Sequence, residues 1–126
     1  MNAYDPKRPP DLSEWLDLED EQRIERVVSF HRDSGIEVQN VRLHSAIHVV
    51  VENQIAAGEP VVAEMIAHLQ REGLSRHEAV HAVGSVAAEH LRDVLLDNRS
   101  VVGTEIRRPY SERVKALTAA GWRATR

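Results

Sequence analysis

The sequence predicts an all-α fold, and three observations carry that expectation. Apolar residues recur at helical three-and-four spacing, no segment alternates apolar and polar as a half-buried strand does, and glycine or proline separates the periodic runs. At 126 residues and 42% hydrophobic content the chain is long enough for one core and short for two domains. The expectation is a single-domain helical bundle of about four to five helices.

Taken in order, residues 1–12, containing Arg8-Pro9-Pro10, read as a flexible or extended arm, because tandem proline blocks helix. A first helix, starting near 15 or 20 and running to 32, places Ile24, Val27, Val28 and His31 on one inward face, and Gly35 ends it. A second, about 38–57, is apolar nearly all round, as a central helix is, and Gly58 stops it. Pro60 suits the first turn of a third helix whose face of Val62, Met65, Ile66 and Leu69 leaves His68 exposed before Gly73. The fourth opens on Ser75-Arg76-His77-Glu78, the spacing of a capping box, and continues to about 97. Residues 13–97 thus form the bundle and 98–109 a linker. A C-terminal helix within 110–126 spans about 111–120, with Gly121-Trp122 ending it and the indole docking the tail.

Composition narrows the function. The formal charge of −4 and pI near 6.0 come from 16 basic and 20 acidic residues mixed along the chain, so no cationic surface is expected for nucleic acid. Without cysteine there is no disulfide, thiolate zinc site or cysteine nucleophile, and any metal must be held by nitrogen and oxygen. No apolar run is long enough to span a membrane and the N-terminus lacks a signal-peptide core, so a cytoplasmic protein is expected. The apolar second helix and Val101-Val102 are compatible with a homodimer.

Two ligand rows point to a metal: His44-x3-His48-x3-Glu52 on the second helix and His77-x3-His81 on the fourth. Residues four apart stack on one helix face, here amid Val51 and Ile55 on one helix and Gly84 and Ala88 on the other. Burying several imidazoles and a carboxylate without partners costs several kcal/mol, whereas one cation serves them all. The expected metal set is His44, His48, Glu52, His77, His81 and Glu89, the last about 80° round the helix from His81 and so at the rim. His90 is expected in solvent and Gln54 in a supporting or structural role. Zinc or iron is the favoured cofactor, with manganese, nickel and copper also compatible. A metal-free histidine core that titrates near the imidazole pKa is the alternative.

His77-Glu78-Ala79-Val80-His81 also spells HExxH, the zinc-protease helix in which the glutamate activates water. The extended form of that motif needs a third histidine where Ala87 stands, and Glu78 already serves the capping box. Glu52 and Glu78 are the candidate catalytic bases.

The residues Leu43 to Gln54, Gly58-Glu59-Pro60 and Arg76 to His81, followed by Glu89, resemble the bacterial family DUF1841 over about 40–95, with Trp15-Leu16 and the helix to His31 similar to a subgroup. The shared pattern is H-x3-H-x3-E-x-Q, then H-x3-H with a glutamate eight residues on. That resemblance implies the site and no particular reaction, and because family members often lack a glutamate after the third histidine, it disfavours Glu78 as a base. A looser likeness is to hemerythrin-like di-iron bundles: His44, His48-x3-Glu52 and His77-x3-His81 match three parts, while His90-Leu91-Arg92-Asp93 fails the fourth, leaving His31 or Glu89 to complete it. Three functions stay open: a metal-dependent hydrolase or oxidative enzyme, a closed-shell metal-binding module, and a metal-free interaction protein.

Overall fold

The computed structural model describes residues 3–96 and 109–125, and among these the chain is all helical, with no strand. The described residues form seven helices: α1 (Leu12–Asp17), α2 (Asp20–Asp33), α3 (Val41–Ala56), α4 (Pro60–Arg71), α5 (Arg76–Leu96), α6 (Tyr110–Lys115) and α7 (Ala119–Ala124). The predicted second and fourth helices are α3 and α5. Most of the linker expected at 98–109, including Val101-Val102, lies outside the described residues.

The count exceeds four to five because two predicted helices are each broken by a cap. Leu18 turns extended after α1, and the Glu19 N–H then bonds Gln22 Oε1 at 2.8 Å to start α2 afresh. At the other end, Thr118 is extended and its hydroxyl accepts from the Gly121 N–H at 2.9 Å, so α7 begins where the sequence reading ended a helix. Trp122 sits inside α7, buried as expected.

α3 is central, packing against α2, α4 and α5. It starts three residues later than predicted because Asn40, at φ 46°, caps it by accepting from the Leu43 N–H at 3.1 Å. It is not buried all round: Leu43 and Val50 face outward. Where α3 crosses α5, Gly84 permits a close approach, since a Cβ there would lie 2.9 Å from Ile47 Cγ2. The predicted capping box of α5 is present, with Ser75 N–H to Glu78 Oε1 and Glu78 N–H to Ser75 Oγ both at 3.0 Å.

Two apolar clusters result. The larger joins Val62, Met65, Ile66 and Leu69 of α4 to Val80 and Val83 of α5, and to Val114 and Trp122 of the C-terminal helices. The tail is pinned there by Tyr110 to Gln54 (2.9 Å), Arg113 to Asp93 (2.8 Å) and the Ala119 N–H to Glu72 (2.8 Å). The smaller joins Trp15, Val27 and Val49 to Tyr4 of the N-terminal segment. In that segment, read from its prolines as a flexible or extended arm, Tyr4 and Pro6 are buried, because the tyrosine ring fills the space beside Trp15 and Phe30.

Candidate metal centre

The side chains of His31, His44, His48 and His81 meet where α2, α3 and α5 converge, each offering a ligand atom within 4.8 Å of the others. His44 and His48 lie one turn apart on α3, and His81 faces them from α5 with its Nε2 3.1 Å from His44 Nε2 and 2.8 Å from His48 Nε2. Two nitrogens that share one cation at ~2.0–2.1 Å sit roughly 3 Å apart, so these separations suit a common ion.

Hydrogen bonds fix which atoms face inward. His31 Nδ1 lies 2.9 Å from the Val27 carbonyl, which only accepts, so Nδ1 carries the proton and Nε2 presents its lone pair, buried and without a hydrogen-bond partner. The Tyr4 hydroxyl gives its one proton to Glu52 Oε2 at 2.6 Å. At 3.1 Å it therefore accepts from His48 Nδ1–H, and His48 Nε2 is likewise a lone pair. The nitrogens of His31, His44 and His48 thus crowd a single Nε2 of His81, which can hold at most one proton. Burial, then the neighbouring imidazoles, push the pKa of His48 far below the ordinary value, and burial then His31 lower that of His44. Neutral imidazole is the form that ligates metal.

His77 stands beside this group rather than in it. Its ring lies 4.3 Å from that of His81 and 5.3 Å from that of His48, edge-on to Phe30, and its buried Nε2 has no hydrogen-bond partner. Burial, with His31 and His44 nearby, lowers its pKa to about 4.

Glu52 is buried but is not brought to the four nitrogens. Arg76 grips it in a two-pronged pair, Nη1 to Oε2 at 2.8 Å and Nη2 to Oε1 at 2.9 Å, and Tyr4 takes a further bond. A guanidinium at the start of α5 thereby satisfies a carboxylate that otherwise called for a cation. Arg76 Nη1 also donates to the Pro6 carbonyl at 3.1 Å, tying the N-terminal segment to the same spot. Burial alone would lower the Arg76 pKa, but the bonds and charge of Glu52 more than reverse it, while burial and then Glu52 raise that of Tyr4.

The remaining sequence candidates lie elsewhere. Glu89 is exposed on α5 near Leu117 and Thr118, carried off by its angle round the helix. Glu78 is held in the capping box. His90 is half-buried rather than solvated, because α6 brings Tyr110 to 5.6 Å from its ring, and Gln54 serves that same tyrosine structurally. His68 sits at the surface beside Glu72 at 3.2 Å. Of the residues the sequence reading left out of the ligand set, His31 was legible as inward-facing, whereas Tyr4 and Arg76 gave no signal.

A cleft of about 340 Å³ opens beside the centre between α3 and α5, lined in part by His44, His48 and His81. The rings of Tyr4 and His31 lie 5.8 and 5.0 Å from that of His48, and Phe30 packs edge-on to both Tyr4 and His31. Among the described residues no helix is long and apolar enough to cross a membrane. Comparison with protein-family models, with curated proteins and with solved structures finds no match to this chain.

Proposed function

We propose that the chain is a single helical bundle that binds one transition-metal ion through His31, His44, His48 and His81, with His77 as an adjacent fifth imidazole. The observation that carries this reading is the convergence of four imidazole nitrogens, two of them lone pairs fixed by hydrogen bonds at the opposite ring atom. One cation relieves the shortage of protons among them, and without it each orphaned nitrogen costs roughly 1–3 kcal/mol. An all-imidazole set suits zinc, copper, nickel or iron(II) better than the hard cations magnesium and calcium. Tyr4, Glu52 and Arg76 then orient His48 without touching the ion. The kinship with DUF1841 stands as part of the same proposal, since its shared positions include His44, His48 and His81.

Elemental analysis of untagged protein purified without chelator, with the His31→Ala, His44→Ala and His81→Ala variants alongside, tests the reading. The expected result is one equivalent of metal in the wild type and its loss in all three variants. No metal in the wild type after incubation with each candidate ion would sink it and leave a histidine-packed core. The exposure of the centre to a cleft favours a second, narrower reading, a metal-dependent enzyme rather than a closed structural site.

A further inference from the structure

The cleft against the histidine cluster has walls of a definite character. Leu43, Ile47, Val80 and Trp122 supply an apolar surface, and Gln39, Asn40 and Ser85 are its polar members. Among the described residues that line it, no side chain is ionisable other than the histidines of the centre. At about 340 Å³ it lies at the small end of the ~300–1,000 Å³ range of ligand pockets. His44 and His81, the two half-buried members of the set, line it together with His48, so an ion held by them faces the cleft.

We propose that the cleft takes a small organic ligand with an uncharged, apolar body and a single nitrogen or oxygen donor head, which coordinates the bound metal from the side of His44 and His81. This rests on the metal reading above. The apolar walls reward desolvation of the body, and among the described wall residues there is no lysine or arginine, so there a negative charge on the head is balanced only by the ion. A phosphorylated or multiply charged substrate finds no counter-charge in these walls, and a long peptide exceeds their volume.

The test uses the full chain loaded with cobalt(II), its stoichiometry first fixed by elemental analysis, and titrated with imidazole and with 4-phenylimidazole while the visible cobalt bands are followed. The phenyl-bearing probe is expected to bind at least about tenfold more tightly, as burial of an aromatic ring requires. Ser85→Phe fills the cleft from an exposed position and is expected to abolish that preference with cobalt still bound at one equivalent. Should that variant fail to fold, Leu43→Ala, at a wall position 59% exposed, is expected to reduce the preference severalfold. Cobalt bound with bands that neither probe moves, or equal affinity for both probes, would overturn the ligand class and leave the metal site standing. Failure to bind cobalt and every other ion would remove both, and the elemental analysis distinguishes that result before any probe is added.

Discussion

The two halves of the interior are buried to similar depth by opposite chemistry. Around α4, α5 and the C-terminal helices the buried side chains are almost all aliphatic, and removal from water is sufficient to hold them. Around α2, α3 and the N-terminal segment a small aromatic and aliphatic cluster flanks His31, His48, Glu52 and Arg76, each of which must find a specific partner. Glu52 and Arg76 have found one another, whereas His31 and His77 retain a buried nitrogen with none. The contrast separates a region built for stability from one in which polar groups are held ready at some energetic cost.

The largest effect is expected from Glu52→Ala, which strands the buried Arg76 guanidinium and should cost about 3–5 kcal/mol in urea unfolding, with the Glu52→Leu/Arg76→Met double variant recovering much of it. If Glu52 is a clamp and not a ligand, Glu52→Gln keeps its metal stoichiometry. Next comes a paired test of the two halves. Leu69→Ala should cost about 3 kcal/mol with or without chelator, because it only opens a cavity. His48→Leu should fall within about 1 kcal/mol of wild type in chelator, or be more stable, yet lose any stabilisation by added metal.

The metal-free protein should also weaken in mild acid. The folded-state pKa of His77 is lowered to about 4 against an ordinary 6.5, and that of His48 is lower still, so the unfolded chain binds more protons across that interval. Stability is full above pH 6.5 and falls as the pH drops toward 4, by at most ~1.4 kcal/mol per unit for each histidine and less for the half-buried His77. Denaturation curves at pH 7.5, 6 and 5 measure the slope, and the His48→Leu/His77→Leu variant should flatten it. The smallest effect is Ser75→Ala, about 1 kcal/mol through the lost cap of α5, with metal content unchanged.

Much of this was legible in the sequence where it depends on one helix at a time. The i, i+4 rows brought His44, His48 and His81 to the interior, and the capping box at Ser75 and Glu78 formed as read. His31 was legible as inward-facing, but the packing of α2 against α3, which makes it a neighbour of His44, is a tertiary fact that no local spacing encodes. Arg76 and Tyr4 were hidden for a related reason. An arginine at a helix start reads as surface charge, and a tyrosine in a proline-rich segment reads as a loose end, until each is paired with a carboxylate far along the chain. A buried Glu52 accordingly reads as calling for a metal ion until the guanidinium of Arg76 is placed beside it. The break at Thr118 had a local signal, a threonine cap three residues before Gly121, that the glycine obscured.

The link from Arg76 to the Pro6 carbonyl bridges 70 positions, and that from Tyr4 to Glu52 bridges 48. For a helical protein these are long loops to close, and such contacts form late because their closure entropy is met before any contact rewards it. The orientation of His48 therefore waits on the chain as far as Arg76. No fragment that ends before α5 carries the complete constellation, and a ribosome-bound nascent chain gains it only after His81 has left the exit tunnel.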